Sequence, residues 1–356
     1  MELLPEWAPN IHPMLVHFPI AILFLAVFMD LVNFFVPDDW WDDTKTTLLY
    51  GVGVISAIAA YYTGTWAADT VFLPSQAQNV LNSHSDWAVW TVWYFIGYVV
   101  LRFGLHWFKM FDRKIINVAV FIIVLPGVFM LYETGEHGAE LVFGYGAGTG
   151  QLLQQEEVNV PSDSQSIESN TTFKVMDNDN WTWTIGPNGV STLLSHFRWL
   201  EGSVQDLKPE VLQNEKNYLL KLTVDSITNF FVEERTIQNV QVDYYLDFSG
   251  FQGKVSLVNH VQNSQNYDFV TLSSDGTITQ GRVINGERKV FAEEQYTASG
   301  MMFIRTVASD THFRAYINEE MAIHSHGEAP EAGSIGLKLN GTGTILIDSI
   351  SLTQLN

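Results

Sequence analysis

Four histidines lie near the ends of long apolar runs. His12 and His17 open the first run, His84 precedes the third, and His137 follows the fourth. Imidazole ligates haem iron and several transition metals. If successive runs are helices of alternating direction, all four rings reach the same end of a bundle. Four imidazoles at one depth suit a bound cofactor. Haem b is the favoured guest, with His17 and His84 as axial ligands of its iron and with His12 or His137 able to replace either. A mononuclear copper or zinc ion would use the same imidazoles. The plainer alternative is that these histidines only hydrogen-bond helix ends.

The runs that must position these rings are approximately 14–36, 46–68, 87–108 and 115–133. A span needs about 20 residues to cross about 30 Å of hydrocarbon, and each run meets this. A soluble bundle would need polar outer faces, and the stretch AVFIIVLPGVFMLY has none. Gly51, Gly53, Ala57, Ala59, Ala60 and Gly64 place small residues along the second run, where a macrocycle could approach. Pro13 and Pro19, in IHPMLVHFP, predict an irregular first turn. Ser85 or Asp86 is the expected N-cap of the third helix, and the glycines of TGEHGAELVFGYGAG are expected to end the fourth.

Basic residues set the expected orientation. Lys45 lies between the first two runs, and Arg102, Lys109, Arg113 and Lys114 lie around the turn between the last two. Positive residues stay cytoplasmic, so the four histidines and everything after residue 135 face outward. The N-terminus lacks the basic n-region and cleavage site of a removable signal peptide. A multi-pass protein of a bacterial inner membrane follows, with its C-terminal domain on the periplasmic side. Haem propionates would find no basic residue at the histidine end, and backbone amides or Trp nitrogens would have to serve them. Asp30 and Arg102 fall at similar depth near the inner surface, where a structural ion pair is expected. His106 reads as an interfacial side chain beside Trp107.

Composition changes near residue 150. The chain has 356 residues and a formal net charge of -21; residues 1–150 contribute 5 basic and 13 acidic side chains, the remainder 13 and 26. Both halves are acidic, so nucleic acid is excluded as a partner, and the soluble half has no electrostatic attraction to anionic headgroups. With no cysteine, disulfides, thiolate zinc sites, iron–sulfur clusters and covalent c-type haem are excluded.

Three regions are expected: a four-helix transmembrane domain over 1–149, a flexible linker over 150–180, and an extracytoplasmic β-sandwich over 181–356. The linker is rich in Gln, Ser, Asn, Asp and Glu without apolar periodicity. Beyond it, short alternating runs separated by SSDG, NGE and NGTG read as strands. In IQNVQVDYYLDF, residues Val240, Val242, Tyr244, Leu246 and Phe248 share one face. The fold class is therefore an α-helical membrane four-helix bundle plus an all-β, jelly-roll C-terminal domain.

A catalytic pair is hard to find there. Glu233, Glu234, Asp243 and Asp247 could share a concave face, but nothing fixes a partnership, and solvated carboxylates are the default in an acidic domain. His324 and His326, in AIHSHGE, could take a metal with Glu319 or Glu328, although a polar turn is the simpler reading. Asp348 is expected to make a structural hydrogen bond. No Ser-His-Asp or phosphate-cradling signature stands out.

The opening IHPMLVHFPIAIL and closing TGEHGAELVFGYGAG resemble a bacterial four-helix membrane domain of unknown function, with its HPxxVHFP opening, a histidine before the third helix and a TGxxG–LV–YG closing. The resemblance covers about residues 10–150, and His12, His17, His84 and His137 match its motif positions. It implies haem binding, an electron-transfer or redox-sensing role, and fusion to extracytoplasmic modules. The closing FRAYINEEMAIH and AGSIGLKLNGTGTILIDSISL resemble the last strands of concanavalin-like or laminin-G-like jelly rolls, whose members include lectins, hydrolases and interaction modules. Together these imply an electron-transfer accessory subunit of a larger membrane redox complex rather than a stand-alone enzyme. Its outer sandwich would dock an extracytoplasmic protein partner. The alternative is a membrane-anchored module that binds a glycan or protein and carries no redox cofactor.

Overall fold

The computed structural model describes residues 10–37, 40–147, 173–213, 217–297 and 299–355. The chain parts into two compact units near residue 158. The expected flexible linker lies outside the described residues up to residue 172.

The first unit is helical. α1 (His12–Leu15) and α2 (His17–Val32) meet at Val16, followed by α3 (Asp43–Thr70), α4 (Ser75–Trp107) and α5 (Lys114–Tyr145). Pro13 opens α1 and Pro19 sits in the first turn of α2, positions whose missing N–H leaves no helical bond unmade. The expected irregular turn is therefore present. The four spans, counting α1 and α2 together, hold 21, 28, 33 and 32 residues. At about 1.5 Å rise per residue each can cross about 30 Å of hydrocarbon. Leu23, Ala26, Tyr50, Phe95, Tyr98, Val120 and Val124 form the core. Phe18, Phe28, Ile55, Trp93, Ile122 and Phe129 point outward and exposed, as a lipid-facing surface requires.

Two helices differ from expectation. α4 starts at Ser75 behind Pro74, not at Ser85 or Asp86, so His84 lies inside the helix. α5 continues through Gly135, Gly138 and Gly144, so His137 is also inside a helix. The reason is a small second core of Leu73, Ala77, Leu81 and Leu141. It holds the extensions of α4 and α5 together although Gln76, Gln78, Asn79 and Asn82 make the sequence look polar. α5 ends at Gly146, whose φ of 71° suits glycine, with Gly146 and Ala147 donating back to Val142 and Leu141 in a Schellman-type stop.

The second unit is an all-β jelly-roll sandwich. β1 (Phe173–Val175), β2 (Trp181–Thr184), α6 (Gly189–His196), β3 (Phe197–Glu201), α7 (Val204–Leu207), β4 (Glu210–Gln213) and β5 (Tyr218–Asp225) come first. β6 (Asn229–Ile237), β7 (Val240–Asp247), β8 (Phe251–Asn263), β9 (Asn266–Ser273), β10 (Thr277–Ile284) and β11 (Glu287–Gln295) follow. β12 (Met302–Ser309), β13 (His312–Ile317), β14 (Glu320–His326) and β15 (Gly333–Gln354) complete it. β1 falls inside the stretch expected to be linker, because Phe173 stacks on Trp181 and His196 at 4.9 and 3.9 Å.

All pairings are antiparallel, and β15 belongs to both layers. Its first part pairs with β6 and β8, extending through β9, β10 and β11. Its second part pairs with β5, β2 and β7, extending through β12, β13 and β14. The change occurs at Gly341 and Gly343, with φ of 156° and 122°. A Cβ on Gly341 would lie 2.2 Å from the Gln252 carbonyl oxygen, so only glycine fits. The core between the layers joins Leu257, Val270 and Leu272 to Val242, Tyr244, Leu246 and Ile304. The face read from IQNVQVDYYLDF is buried as expected.

Candidate metal and cofactor sites

α1 and α3 position His12. Its backbone N–H donates to Asn10 Oδ1 at 3.1 Å, and its Nδ1 lies 3.0 Å from the Ala60 carbonyl oxygen. α4 and α5 position His84, whose Nδ1 lies 2.9 Å from the Thr134 carbonyl oxygen. The His137 Nδ1 lies 2.8 Å from the Glu133 carbonyl oxygen, one turn back in α5. A carbonyl oxygen can only accept, so each Nδ1 carries the proton and each Nε2 keeps its lone pair. This is the tautomer that metal-bound histidines adopt when a backbone carbonyl orients them.

The structure brings two of the four rings into contact. His12 and His84 face each other edge-on with centroids 6.4 Å apart. His12 and His137 both lie close enough to His84 for their charges to interact. Two glycines make this possible. A Cβ on Gly64 would lie 2.9 Å from His12 Cε1, and one on Gly138 would lie 3.0 Å from His84 Cε1. His17 stands apart. It is exposed at the start of α2, and among the described residues no ring contact joins it to the others. Five residues along a helix is a rotation of about 140°, so His12 and His17 cannot share a direction. His12, not His17, is therefore the partner the structure gives His84.

The expected Asp30–Arg102 pair is present. Arg102 Nη1 donates to Asp30 Oδ2 at 2.8 Å, and the Arg102 side chain is fully buried. Its Nε donates to Thr47 Oγ1 at 3.1 Å, and its Nη2 lies 3.7 Å from Asp43. The Tyr50 and Tyr98 hydroxyls also donate to Asp30, at 3.4 and 3.3 Å. Asp30 lies on α2, Asp43, Thr47 and Tyr50 on α3, and Tyr98 and Arg102 on α4, so this network fastens the three helices.

Each of the four sandwich carboxylates is engaged by its own neighbour. Glu233 and Glu234 are adjacent in β6 and point to opposite faces. Glu233 accepts from Arg235 at 2.7 Å, while Glu234 accepts from Arg198 at 2.9 Å. Burial pushes the Glu233 carboxyl above its usual range despite Arg235. Asp243 accepts two 2.7 Å bonds from Arg305, and Asp247 accepts from the backbone and hydroxyl of Ser249. Asp348 accepts from Ser349 Oγ at 3.2 Å, the structural role expected of it. A further buried network places Asp268 between His260 Nδ1 (2.8 Å) and Arg282 Nη2 (3.0 Å), with His260 Nε2 2.7 Å from the Gln238 carbonyl.

Among the described residues, His324 and His326 form, with His312, a group that could hold a metal ion. The hairpin of β13 and β14 sets His312 directly opposite His326 and Arg314 opposite His324. One ring nitrogen from each of His312, His324 and His326 lies within 4.8 Å of the others. Ring centroids are 4.7 Å apart for His312–His326 and for His324–His326. Burial, with a smaller effect from Arg314, pushes the His312 imidazole down to about 3. Sequence reasoning missed His312 because the ladder contains a bulge. Tyr316 pairs with Met321 but Ala315 pairs with Ile323, leaving Ala322 as the extra residue. That one residue inverts the face of everything beyond it. Without it, His324 and His326 would lie on the face opposite His312.

The solved structures similar to this chain include carbohydrate binding module CBM66 from Bacillus subtilis, at 13% identity and TM-score 0.35, covering 43% of this chain and 94% of that one. They include a Bacillus licheniformis beta-glucanase, at 9% identity and TM-score 0.35, covering 45% and 92%. A native glycosidic hydrolase matches at 10% identity and TM-score 0.38, covering 51% and 97%. Comparison with curated proteins found no match. Residues 8–151 match the family described as "Predicted membrane protein (DUF2231)", so the chain joins a helical unit similar to that family to an all-β jelly-roll sandwich.

Proposed function

We propose that the helical unit is a haem b site for one-electron transfer, with His12 and His84 as axial ligands. One observation carries this reading. Two imidazoles from different helices face each other 6.4 Å apart, each with its Nδ1 committed to a carbonyl of a third or fourth helix. A metal–nitrogen bond of about 2.0 Å on each side fits a separation of that order. When bound, haem iron supplies reversible one-electron oxidation and reduction.

The chain's own residues orient and fence the site. The Ala60 and Thr134 carbonyls fix the ring planes and raise the basicity of Nε2. The Thr91 hydroxyl lies 2.8 Å from that of Thr134, which holds the carbonyl-bearing turn against α4. Gly64 and Gly138 keep side chains off the ring edges. In this reading the chain sits in a bacterial inner membrane with the sandwich outside, as the basic residues at the α2–α3 and α4–α5 turns direct. The sandwich then docks the unit to a larger redox complex.

A second reading places a mononuclear copper or zinc ion on His12 and His84. It is favoured by the five basic residues of 1–150, namely Lys45, Arg102, Lys109, Arg113 and Lys114. None lies at the histidine end of its helix to meet a propionate. Full-length protein in detergent, titrated with haemin and read by absorbance, separates the two. The haem reading predicts a saturating Soret band at one haem per chain, lost in His12→Ala and His84→Ala. No Soret change, with a copper or zinc ion lost on the same substitutions, establishes the second reading instead.

A further inference from the structure

The geometry points to a second metal site, on the sandwich, in which His312, His324 and His326 bind a divalent transition-metal ion. It stands apart from the haem reading and does not rest on it. One ring nitrogen from each histidine lies within 4.8 Å of the others; an ion about 2.0 Å from each needs them no more than about 4 Å apart, a spacing that small side-chain rotations reach. The ligands come from two paired strands rather than from loops, so their spacing is set by the ladder. His312 and His326 are directly paired across it, and His326 and His324 are alternate residues on one strand. The third ligand is in place only because of the bulge at Ala322, which turns both β14 histidines onto the face of His312.

The donor set decides the class of ion. Three nitrogens and no oxygen suit zinc, copper or nickel, whereas calcium and magnesium require oxygen ligands. Three histidines also leave a fourth position open, as in catalytic rather than structural zinc sites. His326 is exposed, so that position can be reached from solvent. Arg314 lies close enough to His312 for their charges to interact, and its positive charge favours an anionic fourth ligand.

The test uses full-length protein in detergent, purified without a polyhistidine tag, stripped with chelator and titrated with zinc by calorimetry. Cobalt serves as a spectroscopic probe of nitrogen ligation. Wild type is expected to bind one zinc per chain that excess calcium does not displace. His324→Ala and His326→Ala each weaken it by at least ~100-fold, the upper end of what losing a mere supporting partner costs. Neither position is buried, so both variants keep the fold, which circular dichroism verifies. The His12→Ala/His84→Ala double variant and Glu319→Gln/Glu328→Gln retain this zinc. Absence of zinc binding by wild type, unchanged affinity in both β14 variants, or loss confined to the His12/His84 variant overturns the assignment.

Discussion

Breaking the buried ion pair between α2 and α4 should loosen the helical unit severely, and removing both partners should not. Arg102 and Asp30 are 2.8 Å apart, with the Arg102 side chain fully buried. At an effective dielectric of about 20 their gross attraction is ~6 kcal/mol, most of which offsets the cost of desolvating two ions. The net value of the pair is therefore small, but the cost of orphaning one member is large. Asp30→Leu leaves Arg102 with the hydroxyls of Thr47 and Tyr98 and an Asp43 carboxylate 3.7 Å away. That substitution should destabilise the unit by about 3–5 kcal/mol, and Arg102→Met by a similar amount. The double variant Asp30→Leu/Arg102→Met should lose much less than either alone. The assay is a double-mutant cycle, with unfolding in mixed micelles by sodium dodecyl sulfate followed by tryptophan fluorescence. Single substitutions costing under ~1 kcal/mol, against the 3–5 expected of an orphaned buried charge, would refute the reasoning, as would two costs that simply add.

Gly64→Val and Gly138→Val should empty the helical site while leaving helix content unchanged, since even a Cβ there meets an imidazole at 2.9 or 3.0 Å. Gly97→Ala, where a Cβ meets nothing within 4 Å, should leave occupancy unchanged; cofactor per chain and circular dichroism check all three. The Asp268 network predicts a pH dependence of the sandwich. Burial works to raise the Asp268 carboxyl, but hydrogen bonds from His260 and Arg282 outweigh it and hold it below the usual range. The unfolded chain takes up that proton near pH 3.9, so the stabilisation is complete above this value and is lost as pH falls through the lower folded one. Asp268→Asn should cost on the order of 3 kcal/mol at neutral pH and flatten this acid limb, as denaturant unfolding of both proteins between neutral and acid pH would show.

The sequence was legible wherever one periodicity dominated. The four spans follow from uninterrupted apolar composition, and the buried face from Val240 to Phe248 follows from strict alternation. The Asp30–Arg102 pair could be matched by depth alone, because charges inside a span have few places to go. The helix limits were not legible around His84 and His137. There, Ala77 and Leu81 form a narrow apolar stripe that packs with Leu141 of α5, and polar neighbours hid it. The nearness of His12, rather than His17, to His84 turned on the rotation between them across the Val16 junction, which motif matching ignores. The partnership of His312 with His324 and His326 depended on a single bulged residue, and a bulge leaves no trace in hydrophobic alternation. The short strand at Phe173 was lost because its stabilisation comes from aromatic stacking on Trp181 and His196 rather than from pattern.

The pairing of His12 with His84 on one iron is tested most directly by the electron paramagnetic resonance spectrum of the ferric, haem-loaded full-length protein. The account predicts a low-spin, two-imidazole signal in wild type and in His17→Ala, converted to high spin or lost in His12→Ala and His84→Ala. A signal that survives both of those substitutions, or that disappears only with His17→Ala, would contradict it.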